Sequence, residues 1–307
     1  MDYVLQTFGL TKKYKGRAAV DRADINICRG DVYGFVGENG SGKTTVIRLV
    51  TGLISADSGE YSLFGINSKD SKIGAARRKM GAIVESPSIY RNMSAWDNLK
   101  MQSSLLGISD EDKIRQILET VGLGELVNDK KSAGNFSLGM RQRLGIAMAL
   151  LGDPEFLILD EPMNGLDPAG IVGIRELILK LNREKGMTML ISSHILSELG
   201  LVATKYGIIS HGHIIKEITA RELHDQCGRL TVINCEDGEK LFDLLQETFP
   251  TEALSRDSRG VTVSGDIDLD GTLKKIMESG NKILSVNCSE MGLEEYYLSL
   301  VGGVKRD

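Results

Sequence analysis

The sequence predicts an α/β protein with a mostly parallel sheet, followed by a smaller α+β domain. Apolar runs of strand length alternate with helical patterns over residues 3–228, which is typical of buried parallel strands with helices packed on them. One run leads into a glycine-rich turn that opens a helix. After about residue 228 the predicted order becomes βαββαβ, that of a ferredoxin-like fold. A chain of 307 residues suits one large domain and one smaller domain.

The first predicted domain spans residues 3–228. Its expected strands lie at 3–8, 20–27, 31–36, 81–85, 156–160, 187–192 and 206–210, and its expected helices at 111–121, 137–151 and 168–185. The stretch 86–150 carries several helical patterns and no convincing strand. We therefore expect it to form a helical insertion in the α/β core.

The second predicted domain spans residues 229–307. Strands are expected at 230–235, 253–256, 261–264 and 282–287, and helices at 239–248, 269–278 and 293–301. The first six of these elements give the βαββαβ order, and the last helix follows them. We therefore expect an α+β accessory domain of the ferredoxin-like type.

Composition excludes several classes of protein. The chain is 41% hydrophobic and 26% charged with 5 prolines, which is globular usage rather than disordered or collagenous usage. No apolar run approaches the roughly 20 residues of a spanning helix, and the first ten residues do not resemble a signal peptide. The cysteines, Cys28, Cys227, Cys235 and Cys288, are scattered without the spacing of a zinc site or disulfide framework. The sequence therefore predicts a cytoplasmic protein.

The formal charge of −5 is unevenly distributed. From Glu236 to the end there are 15 acidic and 8 basic residues, a net charge of −7, which leaves +2 for the rest of the chain. Nucleic-acid binding usually shows as a clustered basic face, and neither part of the sequence has one. We expect no nucleic-acid partner.

Residues 37–45 match the phosphate-loop pattern G-x-x-x-x-G-K-[ST] and lie between a predicted strand and a predicted helix. They are Gly37, Glu38, Asn39, Gly40, Ser41, Gly42, Lys43, Thr44 and Thr45. Backbone N–H groups and the helix N-terminus favour bound phosphate here. Lys43 is predicted to reach the β- and γ-phosphates, and the Thr44 hydroxyl to ligate magnesium. The alternative is a plain glycine turn.

Two acidic residues end an apolar run at 156–159. Asp160 is expected at the carboxyl edge of the sheet, where it can hold magnesium, and Glu161 can polarise an attacking water as a general base. The alternative is an acidic strand end at a surface turn. An upstream phosphate loop favours the catalytic interpretation.

Three further motifs, taken with the phosphate loop and the acidic pair, form an ordered set. Between the phosphate loop and Asp160 lies the run Phe136-Ser137-Leu138-Gly139-Met140-Arg141-Gln142-Arg143. After Glu161 come Asn164-Gly165-Leu166-Asp167 and, later, Ser192-Ser193-His194. This ordered set resembles the ATP-binding subunits of ABC transporters over roughly residues 3–228.

The resemblance implies a role for each motif residue. Tyr14 corresponds to the aromatic that stacks on adenine, Glu161 to the catalytic base and His194 to the histidine that contacts the γ-phosphate. Ser137 and Gly139 correspond to signature residues that contact a nucleotide held by the opposite subunit, and Asp167 to the acid that communicates across the dimer. Taken singly, these residues also have simpler interpretations. Tyr14 is a strand-end aromatic, His194 a helix N-terminal residue and Ser137 an ordinary helix cap.

The chain departs from the family pattern at two places. The usual signature is Leu-Ser-Gly-Gly-Gln, whereas this chain has Leu138 at the third place and Met140 at the fifth. Most members carry glutamine where this chain has Glu85. A carboxylate can bind magnesium or accept a hydrogen bond from water, but it cannot donate one as an amide does. Glu85 is thus predicted as a catalytic and metal-site residue, with a surface glutamate as the alternative.

The segment that begins at Glu85 narrows the family. Glu-x-Pro-x-x-Tyr over 85–90, followed by residues 93–99, resembles the ATPases of bacterial exporters that protect against lantibiotics and bacitracin-like peptides. The appended domain of those exporters often ends much like residues 293–298.

The resemblance implies partners as well as an activity. ATP with magnesium is expected between two such domains facing head to tail, so a homodimer forms on ATP binding. Separate permease subunits would supply the membrane pathway and hold the chain on the inner face of the membrane.

The alternatives are a soluble ABC ATPase acting on ribosomes or DNA, a regulatory module that barely hydrolyses ATP, and an exporter ATPase for another cargo. No second ATPase unit or long coiled-coil insertion supports the first, and Glu161 with His194 argues against the second.

Overall fold

The computed structural model describes residues 2–226, 229–256, 260–265, 267–290 and 293–302. The chain divides into two compact units, Met1–Thr219 and Ala220–Asp307. The division lies before the boundary at 228/229 that the sequence predicts, because the helix Ala220–Gln226 is grouped with the second unit. The thiols of Cys28, Cys235 and Cys288 are free, and Cys227 lies outside the described residues.

The first unit contains eleven strands and seven α-helices among its described residues. Its strands are β1 Tyr3–Tyr14, β2 Arg17–Ala23, β3 Asn26–Cys28, β4 Val32–Val36, β5 Ser58–Leu63, β6 Ile66–Asn67, β7 Met80–Ile83, β8 Phe156–Asp160, β9 Thr188–Ser193, β10 Lys205–Ser210 and β11 His213–Thr219. Its helices are α1 Lys43–Val50, α2 Ile73–Arg77, α3 Ala95–Leu105, α4 Glu111–Thr120, α5 Leu138–Leu150, α6 Pro168–Lys185 and α7 Leu196–Gly200.

The central sheet has six strands in the order β11-β10-β4-β9-β8-β7. The five strands from β10 to β7 run parallel, and β11 pairs antiparallel with β10 at one edge. Every residue of β4 and β8 is buried, as expected for strands covered on both faces. The predicted α/β class with a mostly parallel sheet is confirmed.

A second, antiparallel sheet was not predicted. It has the order β2-β1-β5-β6, with β3 paired to β1. The sequence predicts one strand over 20–27, but the structure breaks it into β2 and β3. Thr7 stabilises the backbone between β2 and β3, because its hydroxyl donates to Ala23 O at 2.8 Å and accepts from Ile25 N at 2.9 Å.

A partly buried polar cluster joins the two sheets. Glu217, on β11 of the central sheet, accepts hydrogen bonds from the backbone and side-chain nitrogens of Asn26 on β3, each at 2.9 Å. It also accepts from the hydroxyl of Tyr33 on β4 at 2.9 Å. Burial raises the pKa of Tyr33 well above its usual value, so the hydroxyl stays protonated and remains a donor. The two sheets are thereby tied at the end of β4 remote from the glycine-rich turn.

The helices α3, α4 and α5 lie between β7 and β8, and no strand occurs within that fully described stretch. Ser94 and Asp110 cap α3 and α4 by accepting hydrogen bonds from Asp97 N and Lys113 N. Asn98 is fully buried and bonds both backbone groups of Tyr90, at 2.7 and 3.0 Å. It therefore fixes the segment that leaves β7 against α3.

The second unit contains α8 Ala220–Gln226, β12 Arg229–Cys235, α9 Gly238–Gln246, β13 Leu254–Arg256, β14 Gly260–Ser264, α10 Leu269–Glu278, β15 Ile283–Glu290 and α11 Leu293–Gly302. Its four strands pair antiparallel in the order β13-β14-β12-β15. The sequence of elements from β12 to β15 is the βαββαβ order of a ferredoxin-like unit. Its core contains Ile233, Leu241, Leu245, Val261, Val263 and Ile276.

A chain shortened to end at Gly228 tests the independence of the first unit. Each unit has its own buried cluster, so we expect the shortened chain to unfold cooperatively and to keep the nucleotide affinity of the full chain. Chemical denaturation and ATP titration measure both properties. Aggregation of the shortened chain, or loss of nucleotide binding, would show that the second unit is needed for the fold of the first.

Candidate nucleotide-binding site

The glycine-rich loop 37–42 connects β4 to α1. Gly40 and Gly42 have φ values of 81° and 114°, a region that favours glycine. A Cβ atom on Gly37 would lie 2.4 Å from Ile209 O, and one on Gly42 would lie 2.6 Å from Ala19 O. The loop is therefore packed tightly on backbone of the neighbouring strands, and its shape requires glycine at both positions.

Lys43 begins α1 and is 5% exposed. Its ammonium donates to Gly37 O at 2.6 Å and to Glu38 O at 3.2 Å, so it lies across the mouth of the loop. The buried hydroxyl of Ser41 has no hydrogen-bond partner among the described residues. A cation, an unpartnered hydroxyl and a helix N-terminus within one loop fit a bound phosphate chain.

Asp160 is a buried carboxylate on which three segments converge. One oxygen, Oδ2, accepts from the Thr44 hydroxyl at 2.9 Å and from Glu85 N at 3.3 Å. The other, Oδ1, accepts from the Ser192 hydroxyl at 2.6 Å. Hydroxyl and carboxylate oxygens are ligands that magnesium prefers, so Thr44 and Asp160 fit a magnesium ion. The described residues contain no group of three or more His, Cys, Asp or Glu side chains that could hold a metal ion by themselves.

Glu161 lies between a lysine and a histidine. Its Oε1 is 3.3 Å from Lys43 Nζ, and its Oε2 is 2.7 Å from His194 Nδ1. Its backbone adopts φ 51°, which is unfavourable for a residue with a Cβ, and its N–H donates to the Ser192 hydroxyl at 2.9 Å. The structure thus brings Lys43, Glu161 and His194 together.

The predicted signature and dimer residues lie at helix starts. Ser137 caps α5 by accepting from Met140 N at 3.2 Å, and Asp167 caps α6 by accepting from Gly170 N at 3.0 Å. A Cβ on Gly139 would have nothing closer than 3.9 Å, so packing within the chain does not require glycine there. In the described part of the chain, no hydrogen bond joins these residues to the phosphate loop.

Tyr14 ends β1 at the hairpin that leads to β2. Its ring is exposed, and Lys12 Nζ lies 5.7 Å from the ring centroid. The adjacent β2 contributes Ala19 and Val20 to the packing around Gly42. An aromatic face is therefore available on the hairpin whose second strand supports the loop.

The side chain of Glu85, predicted to be catalytic and to lie at the metal site, has a different partner in the structure. Its backbone N–H joins the cluster around Asp160, but its carboxylate pairs with Arg48, with Arg48 Nη2 2.5 Å from Glu85 Oε1. The residue adopts φ 64°, and its backbone and side chain bond different partners. In this structure the carboxylate is therefore held by a guanidinium rather than placed among the oxygens around Asp160.

Sequence reasoning missed two contributors to the site. Ser192 was part of a recognised motif, but its bond to Asp160 follows from the parallel register that pairs these two residues across β8 and β9. Arg48 carried no motif at all. Its only signal is its position on α1 four residues after Thr44, which places both side chains on one face of the helix.

Comparison with known proteins agrees with this geometry. The family model described as ABC transporter matches residues 20–164. The bacitracin transport ATP-binding protein BcrA of Bacillus licheniformis is 41% identical over 99% of this chain and 99% of its own length. The lantibiotic transport ATP-binding protein SrtF of Streptococcus pyogenes is 45% identical over 70% of this chain and 90% of its own.

Solved structures give the same result. The cbiO1 protein of Clostridium perfringens, described as part of the ABC transporter complex cbiONQ, superposes with a TM-score of 0.66 at 26% identity. The superposition covers 74% of this chain and 92% of that protein. These similarities agree with the arrangement of the phosphate loop, Asp160, Glu161 and His194. The chain belongs to the ABC transporter family as one of its ATP-binding, ATP-hydrolysing subunits.

Proposed function

We propose that this chain hydrolyses ATP to power the export of an antimicrobial peptide through separate membrane subunits. The observation that carries the hydrolytic part is the placement of Glu161 between Lys43 and His194 beside the phosphate loop. The transport part is supported by the bacitracin and lantibiotic transport ATP-binding proteins to which the chain is similar over most of its length. A peptide antibiotic of the bacitracin or lantibiotic kind is therefore the proposed cargo.

The residues divide the chemistry among them. Lys43 and the N–H groups of the loop bind the phosphates of ATP, and Tyr14 stacks on the adenine. Glu161 accepts a proton from the attacking water, and His194 orients the Glu161 carboxylate through its 2.7 Å contact. Thr44 and Asp160 are the residues that would hold a magnesium ion, which would supply positive charge against the phosphates of ATP.

A second copy of the chain completes the site. Ser137, Gly139 and Asp167 lie at the starts of α5 and α6, beside the exposed apolar side chains of Leu138 and Val172. A homodimer formed on ATP binding would cover these side chains and bring Ser137 and Gly139 to the nucleotide of the other copy. Gly139 leaves room for such an approach, because no atom of the described residues would lie closer than 3.9 Å to a Cβ there.

A groove in the first unit is the proposed docking site of the permease. It has a volume of about 840 Å³ and lies among α2, β7, α3 and α5. Its lining includes Leu53, Pro87, Leu106 and Ile108 together with Arg77 and Arg78. Leu53 and Leu106 are exposed, and exposed apolar clusters mark interaction surfaces. No helix among the described residues is both long and apolar enough to cross a membrane.

Substitutions at Lys43 and Glu161 separate binding from hydrolysis. We expect Lys43→Ala to lose ATP binding, because the cation at the loop mouth is removed. We expect Glu161→Gln to bind ATP, to hydrolyse it at least about 100-fold more slowly, and to accumulate as a dimer. ATP titration, phosphate release and size-exclusion chromatography with ATP measure these effects. A Glu161→Gln protein with the wild-type rate would remove Glu161 from the mechanism.

A charge in the groove tests permease docking. Leu53 is 64% exposed, so Leu53→Glu should not disturb the fold, but it places a carboxylate where apolar contact is proposed. We expect at least about a tenfold loss of affinity for the permease, with ATP affinity unchanged. Leu201→Glu is the matched control, because Leu201 is 59% exposed and lies outside the groove lining. Equal permease binding by both variants would contradict docking at this groove.

A further inference from the structure

A closed ring of contacts joins α1 to Glu85, two residues after the end of β7. Thr44 and Arg48 lie one turn apart on the same face of α1. Thr44 donates to Asp160 at 2.9 Å, Asp160 accepts from Glu85 N at 3.3 Å, and Arg48 Nη2 lies 2.5 Å from the Glu85 carboxylate. Glu85 is therefore held at its backbone by the nucleotide site and at its side chain by Arg48.

The same pair connects two walls of the groove. Arg48 O accepts from Leu53 N at 2.9 Å, which fixes the turn that carries Leu53 into the lining. On the other side of the pair, Ser86 and Pro87 follow Glu85 directly and also line the groove. The Arg48–Glu85 bond thus connects two sides of the groove. One side is formed by the turn after α1, and the other is formed by the segment after β7.

We propose that Arg48 is a positioning residue that holds the Glu85 carboxylate against α1 and so couples the nucleotide site to the groove. The coupling part rests on the proposed function, because it requires a permease in the groove. The positioning part concerns this chain alone. A glutamine at position 85 could accept from Arg48 only as a neutral amide, so the ion pair requires the carboxylate of Glu85.

The Arg48–Glu85 ion pair is exposed to solvent, as expected for a contact that can break and form again. The side chains of Arg48 and Glu85 are 38% and 60% exposed. An ion pair this exposed shifts an equilibrium by about fivefold or less. We expect rearrangement of Thr44 and Asp160 around a ligand to weaken the pair, since both residues belong to the same ring of contacts.

Hydrogen exchange on the isolated, nucleotide-free full chain tests the positioning role. We expect Arg48→Met to speed exchange of the Glu85 and Ser86 amides about two- to fivefold, because these amides bond Asp160 and Val84 O next to the lost anchor. Arg256→Met is the matched control, because it removes an Arg–Glu pair of similar length and exposure in the second unit. Unchanged exchange at Glu85 and Ser86 in Arg48→Met would overturn the proposal.

A double-variant cycle distinguishes positioning from a general structural effect. If Arg48 acts through Glu85, then Glu85→Met alone and the double variant should show the same exchange rates as Arg48→Met. Additive effects would mean that Arg48 acts through other contacts, and would overturn the proposal. Arg48→Lys keeps the cation and should restore slow exchange in part.

The reconstituted transporter tests the coupling role. We expect Arg48→Met to lower permease-stimulated hydrolysis about two- to fivefold more than basal hydrolysis of the isolated subunit. Full stimulation of Arg48→Met, under conditions where the permease stimulates wild type, would overturn the coupling. A permease that stimulates no protein, wild type included, would instead contradict the proposed function and leave the exchange result to decide the positioning role.

Discussion

The buried carboxylate of Asp160 is the constraint on which the rest of the site depends. A carboxylate removed from water needs hydrogen bonds to both oxygens, and Asp160 obtains them from Thr44, Ser192 and the backbone of Glu85. These donors come from α1, from β9 and from the segment after β7. Holding one charge in the sheet edge therefore fixes the relative positions of the phosphate loop, the neighbouring strand and the entrance to the helical insertion.

The sequence predicted the parts of this arrangement that follow from buried strands. Asp160 and Glu161 end an apolar run, and the loop at 37–45 follows another, so the parallel direction expected for the two strands places them at one edge of the sheet. The second sheet was missed because Ser58–Leu63 has only two large apolar residues, Tyr61 and Leu63, and residues 11–14 are Thr, Lys, Lys and Tyr, so neither segment has an apolar pattern of strand length. The Arg48–Glu85 bond was missed because Arg48 belongs to no motif and its partner is 37 residues away.

The polar side chains of the candidate site fall into two groups with different hydrogen-bond partners. Lys43, Asp160 and Glu161 are largely buried and bonded to one another or to near neighbours. Ser137 and Asp167, by contrast, bond only the first turns of their own helices in the described hydrogen bonds. Their capping role and their proposed role toward a second copy are compatible, because a hydroxyl or carboxylate oxygen can accept more than one hydrogen bond.

The variant signature is accommodated within this chain. Leu138 stands where the family usually has glycine, and its Cδ2 would lie 3.4 Å from a Cβ placed on Gly165. Gly165 has φ 72° and lies in the loop that leads to Asp167, so this side chain packs over a position that favours glycine for its own backbone. The extra methyl groups therefore bridge the signature and the loop before α6 within one copy. The start of α5, which carries Ser137, is thus packed against the loop that leads to Asp167 and α6.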